Sequence, residues 1–233
     1  MISRNRQYEK LKPSKDAHKV YIICEGTENG TEPTYFRFFE GLSTNLNIIP
    51  IPSSKSIGND PLKLKEYAER LFLKEDSRYV IDALHRDTVW FVIDTDRWEI
   101  EGKITPLRDF CKRHNDGIKK KFDEVKPYSA WNVAQSNPCF EIWHYYHRFE
   151  QKPKDKDVKH HSSFKEFVNA SFQGGFNPEK DPVNLEQAIH TSQNLYSLNS
   201  EGKPDVYTTE MFLLGKEIFP FVKKHLARLR EKV

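Results

Sequence analysis

The chain has 233 residues, of which 37% are hydrophobic, 13% aromatic and 30% charged, a composition that fits a folded core and excludes a disordered chain. No apolar run approaches the ~18 residues of a membrane span, and the polar, basic N-terminus offers no secretory apolar segment, so the cytoplasm is the expected location. The net charge of +3 is too small to establish a nucleic-acid partner. Basic residues nonetheless cluster over Arg4–Lys19, Lys119–Lys121, Lys152–Lys159 and Lys223–Lys232, where they can either track a phosphate backbone or form solvated faces.

Residues 1–18 are expected to form a flexible basic lead. Val20–Cys24 is a short β-branched run suited to a strand buried on both faces, and it ends on Glu25-Gly26. Thr31 is the expected N-cap of a helix with Glu32 and Pro33 in its first turn and an aromatic stripe from Tyr35 to Leu42. Leu46–Ile51 predicts a second strand. Asp60-Pro61 pairs an N-cap with proline at the first helical position, opening a helix through Phe72. Thr88–Ile93 (TVWFVI) predicts a central strand, ending in Asp94-Thr95-Asp96.

Thr105-Pro106 then opens a helix carrying Leu107, Phe110 and Cys111, and Tyr128–Ala134 predicts another strand. Asn137-Pro138 should end that strand and start a helix bearing Glu141, His144 and His147. Alternating strands and helices over 19–150 imply an α/β domain with a mostly parallel sheet flanked by helices. Residues 151–161 resemble a linker, and 151–233 should be a mainly helical extension packed on that domain. The extension should contain helices over Ser162–Phe172 and Leu185–Leu198 and a long one over Thr208–Lys232, bent at Pro220. Cys24, Cys111 and Cys139 have no CxxC spacing and are expected as buried thiols. His160-His161 is expected in a solvated loop.

The chemistry-bearing residues are acids at strand ends. Asp94 and Asp96 can converge on one cation, and without one they would repel and raise each other's pKa. Glu25 should emerge at the same sheet edge, in the crevice where open α/β sheets bind ligands. An all-oxygen set suits Mg²⁺, with Mn²⁺ as an alternative, and such a site polarises a phosphodiester. Glu25 can serve as general base, general acid or metal ligand. Glu141 has two readings: it joins the metal site, or it holds a nearby Arg or Lys. For His147 the structural role leads, as the partner of a buried carboxylate.

Four motifs carry a family resemblance: CEG at Cys24–Gly26, TEPTYF at Thr31–Phe36, IDTDRW at Ile93–Trp98 and SNPCFEIWHYYH at Ser136–His147. In that order they resemble the RloB-like family, whose fold groups with the Toprim (topoisomerase–primase) proteins. The resemblance implies a Toprim-like fold with Glu25 as its strand-end glutamate and Asp94 and Asp96 as its metal-binding DxD pair. The loop Thr27–Gly30 lengthens the family's spacing, so Glu28 and Glu32 compete as the second acid, and the TEP-x-Y-F context favours Glu32. It also implies a Mg²⁺-dependent nuclease acting on DNA or RNA, in prokaryotic restriction and antiphage defence beside an ATPase of the AAA or ABC type. The rival expectations are a non-catalytic adaptor binding nucleic acid or the ATPase, and phosphoryl chemistry on a small ligand. Oligomeric state is not readable from the sequence.

Overall fold

The computed structural model describes residues 10–95, 98–121 and 128–231. Its sheet has five strands in the order β2-β1-β3-β4-β5. These are β1 (His18–Cys24), β2 (Leu46–Ile51), β3 (Thr88–Asp94), β4 (Trp131–Asn137) and β5 (Thr208–Thr209). The first four are parallel, and β5 adds an antiparallel edge to β4. This is the expected mostly parallel α/β sheet flanked by helices with a helical C-terminal end.

Because successive strand residues point to opposite faces, the apolar runs of β1 and β3 feed two cores. Val20, Ile22 and Cys24 with Trp90 and Val92 face one core. Tyr21 and Ile23 with Val89, Phe91 and Ile93 face the other. Helices α2 (Pro61–Phe72) and α3 (Ile104–Lys121) cover the second face. The first face is covered by α1 (Thr31–Arg37), α4 (Glu141–Tyr145), α7 (Leu185–Leu195) and α8 (Met211–Arg230). Two short helices, α5 (Asp155–Val158) and α6 (Phe164–Ser171), lie between α4 and α7 in sequence. Leu185, Ala188, Met211, Leu214, Ile218 and Val222 share a core with the sheet, so the C-terminal third is packed onto the α/β body.

Helix α8 is also tied to the sheet by polar contacts. Glu217 accepts from the Thr88 hydroxyl and from Trp90 Nε1 at 3.0 Å, and pairs with His18 Nε2 at 2.9 Å. Gly215 permits close approach, since a Cβ there would stand 2.7 Å from Ile189 and 3.2 Å from Trp143. Pro220 lies inside α8, which continues to Arg230.

The local signals held where they were strongest. Asp60 caps α2 by accepting from the backbone N–H groups of Leu62 and Lys63, with Pro61 next. Several boundaries differ from expectation. Thr31 is the first residue of α1, Gly30 occupies the cap position, and the helix stops at Arg37. Strand β4 runs three residues later than predicted, through Gln135, Ser136 and Asn137, because tertiary partners satisfy these polar side chains. Gln135 meets Arg108 at 2.8 Å, Ser136 meets Thr209 at 2.8 Å, and the Asn137 amide donates to the Pro204 carbonyl at 2.9 Å. Residues 10–17 of the supposed flexible lead are held against the turn after α1, with Leu11 N–H on Gly41 and Ser14 N–H on Thr44. The three cysteines are buried and free. Among the described residues no helix is long and apolar enough to cross a membrane.

Candidate metal centre

The register that sets Cys24 opposite Val92 brings Glu25 and Asp94 out at one sheet edge. There the Asp94 backbone N–H donates to Glu25 Oε2 at 2.7 Å, and the Trp98 indole N–H donates to Oε1. The Glu25 carbonyl accepts from the Ser53 hydroxyl, and Gly26 O accepts from Ser53 N–H at 2.9 Å. The end of β1 is thereby fixed to both neighbouring strands.

Asp94 Oδ1 accepts from the Phe140 backbone N–H at 2.8 Å, which joins the end of β3 to the start of α4. Glu141 is the first residue of α4, 8% exposed, and its Oε1 accepts from Thr31 Oγ1 at 3.4 Å. Thr31 thus spends its hydroxyl on α4, not on capping its own helix. Glu32, 6% exposed, turns back toward Gly26. A Cβ on Gly26 would meet the Glu32 carboxylate and oblige that side chain to swing aside, so glycine lets the acid lie against the backbone here.

Four carboxylates from four separated segments therefore meet where β1 and β3 end. Burial raises the Asp94 pKa well above the ordinary carboxylate range, and the charges of Glu25, Glu32 and Glu141 push it further, with Lys165 offsetting part of the rise. Burial also raises Glu32, with Glu141 adding to it and its own backbone N–H and Lys165 opposing. Lys165, on α6, places its ammonium 3.9 Å from Asp94 Oδ2 and 3.5 Å from Glu141 Oε1. Its pKa is raised: desolvation works against the charge, but Glu141 and Asp94 outweigh it. Glu141 Oε2 is buried with no hydrogen-bond partner.

Other sequence-predicted residues are placed elsewhere. Asp96 lies outside the described residues. Glu28 is exposed and pairs with Arg37, which leaves Glu32 as the acid that turns inward. Asn137 closes β4, one residue past the Ser136 that pairs with Asp94, and its side-chain amide is spent on the Pro204 carbonyl. Sequence reasoning missed Lys165, whose helix carries no motif that marks it, and the Trp98 contact that fixes Glu25. Cys139 lies beside the acids, but burial, and after it Glu141 and Asp94, raise its thiol pKa and make it a poor nucleophile.

His147 does not partner a carboxylate. The Trp143 carbonyl, 2.9 Å from Nδ1, can only accept, so Nδ1 carries the proton and Nε2 accepts from the Tyr35 hydroxyl at 3.1 Å. Burial depresses its pKa to about 4, with the Trp143 bond opposing. The unfolded chain then takes up a proton below about pH 6.5 that the native state refuses, so stability falls as pH drops from there toward 4, by on the order of 3 kcal/mol. Urea unfolding at pH 7 and pH 4.5 checks this, and His147→Gln should lose less stability across that interval than the parent.

Among the described residues, no group of three or more His, Cys, Asp and Glu side chains is arranged to hold a metal ion as it stands. Lys165 lies between two of the acids, and Glu25 is turned to Trp98 and to the Asp94 backbone. The donor chemistry still fits a hard divalent cation, because Mg²⁺ needs only one or two protein carboxylates beside water and phosphate oxygens. Among the described residues, Asp94, and Glu141 through its unpartnered oxygen, can supply them.

No curated protein and no solved structure matches the chain. A family model described as RloB-like protein matches residues 20–218, a span that holds all of the sheet but the first two residues of β1, and all four acids. The chain therefore belongs to the RloB-like protein family.

Proposed function

We infer that the acid cluster is the Mg²⁺-dependent centre of a Toprim-type nuclease that cuts phosphodiester bonds in DNA or RNA. One observation carries this: Asp94 and Glu141 share the Lys165 ammonium at the sheet edge where β1 and β3 end. Buried like charges are costly unless a cation compensates them, and they persist where chemistry needs them. A bound divalent ion would polarise the phosphodiester and stabilise the charge on its oxygens. Asp94 and Glu141 would hold that ion and Glu25, fixed by Trp98 and the Asp94 backbone, would orient the acids. Lys165 lies within reach of a phosphate bound over the pair. Membership of the family extends the proposal to prokaryotic antiphage defence with an ATPase partner.

A second reading, a non-catalytic adaptor, is favoured by the engagement of both Glu25 carboxylate oxygens with protein donors. Incubation with labelled single-stranded DNA and RNA separates the two. The nuclease should give fragments with Mg²⁺ or Mn²⁺ and none with EDTA, and Glu25→Gln, with an unchanged circular dichroism spectrum, should abolish cleavage. Cleavage by Glu25→Gln at the parent's rate would remove Glu25 from the chemistry, cleavage by Asp94→Asn at that rate would remove the acid cluster, and tight binding with no cleavage in any metal would favour the adaptor.

A further inference from the structure

Beside the acid cluster lies a cavity of about 300 Å³, with Glu141 and Lys165 in the wall it shares with the acids. The rest of its lining includes Asn29, Thr34, His144, Asn169 and Phe176. His144 is 5% exposed, and its Nε2 is buried without a hydrogen-bond partner. Phe176 covers its ring face to face, with centroids 3.6 Å apart and planes 3° from parallel. The half-buried Phe176 ring is itself part of the cavity wall.

The chemistry of this lining excludes a second phosphate. Its one ammonium is already shared by two carboxylates, one of them in the same wall. What remains is uncharged: two carboxamides and two threonine hydroxyls, that of Thr31 already given to Glu141, an aromatic plane, and the imidazole of His144 behind it. A flat, neutral ring system with donors and acceptors on its edge matches these features, and the volume is at the lower limit of small-ligand pockets, so it suits one ring system and not a dinucleotide.

We propose that this cavity receives one unstacked nucleobase next to the phosphodiester held at the acid cluster. The inference rests on the nuclease reading and adds its substrate class: a nucleic acid whose base is free to leave the stack, as in a single strand or a locally opened duplex. The base stacks on the Phe176 side of the cavity and its edge meets Asn29, Asn169 and Thr34. Because Glu141 and Lys165 border both spaces, the sugar-phosphate link to that base runs directly to the acids.

Fluorescence anisotropy in EDTA tests this without any cleavage. The full chain is titrated against an intact single-stranded DNA oligonucleotide and against one of the same length and charge in which every sugar is abasic. The abasic strand should bind about tenfold more weakly, the effect of losing one stacked base at about 1.4 kcal/mol. That gap should shrink at least threefold in Phe176→Leu and in Asn169→Ala. Asn169 is exposed, so its replacement leaves the core intact should Phe176→Leu fold poorly. Abasic and intact strands binding within twofold of each other, or a gap unchanged in Asn169→Ala, would overturn the inference. A protein that cuts nucleic acid but ignores missing bases loses the cavity assignment alone. One that discriminates abasic strands but never cuts loses the nuclease reading alone.

Discussion

Asp94→Asn is expected to reduce metal-dependent cleavage by at least about a hundredfold while raising the melting temperature of the metal-free protein. Loss of activity follows if Asp94 is the charged ligand proposed above, since even residues behind a metal's direct ligands typically contribute about 10–100-fold. The gain in stability follows from the surroundings of the carboxylate. Burial and the charges of Glu25, Glu32 and Glu141 hold its pKa well above the ordinary range. Below that range both native and unfolded chains are protonated and nothing is lost. As pH rises, the unfolded chain ionises first, and stability declines until the native carboxyl ionises too. Asparagine escapes this cost, and its side-chain oxygen can still accept the Phe140 N–H that Asp94 accepts now. Thermal melts across pH 4–8 should therefore be flatter for the variant. Mg²⁺ at ten times its Kd should raise the parent's melting temperature by about 3–6 °C and leave the variant's nearly unmoved.

Lys165→Met should lower kcat about a hundredfold with a smaller change in KM, the pattern of a group whose charge acts chiefly on the reacting phosphate. In the metal-free protein the same variant leaves the acids without their resident cation. Its melting temperature should fall by no more than about 2–4 °C, because the lysine side chain is 60% exposed and solvent screens the pair. Added Mg²⁺ should then stabilise it by more than it stabilises the parent. Unchanged kcat together with an unchanged response to Mg²⁺ would leave Lys165 as an ordinary surface charge. Stopped kinetics and melts with and without metal give both readouts from one preparation.

The residues differ in how far the sequence disclosed them. Strands β1 and β3 were legible because their apolar, β-branched runs are buried on both faces, β2 because its apolar run is short and closed by a turn, and α2 because Asp60-Pro61 sets a start signal in two residues. Strand β4 was misplaced by three residues because Gln135 and Ser136 are compatible with a strand only when Arg108 and Thr209, distant in sequence, complete their hydrogen bonds. The two-residue β5 exists only through its pairing with β4, and no local pattern marks it. At the site, Glu25 and Asp94 stood out as acids at strand ends. Choosing Glu32 over Glu28 rested on sequence context, and the close approach to Gly26 supplies its physical reason. Lys165 was invisible: it follows Asp94 by a long stretch of chain, and an isolated lysine on a short amphipathic helix looks like any solvated charge.

Crystals soaked in Mn²⁺ and measured at the manganese absorption edge put the central claim to its most direct test. An anomalous peak bonded to Asp94 and Glu141, with the Lys165 ammonium displaced or shifted toward solvent, is the result expected. Well-diffracting crystals that show no peak there at saturating Mn²⁺, or whose only peak lies away from the ends of β1 and β3, would contradict it.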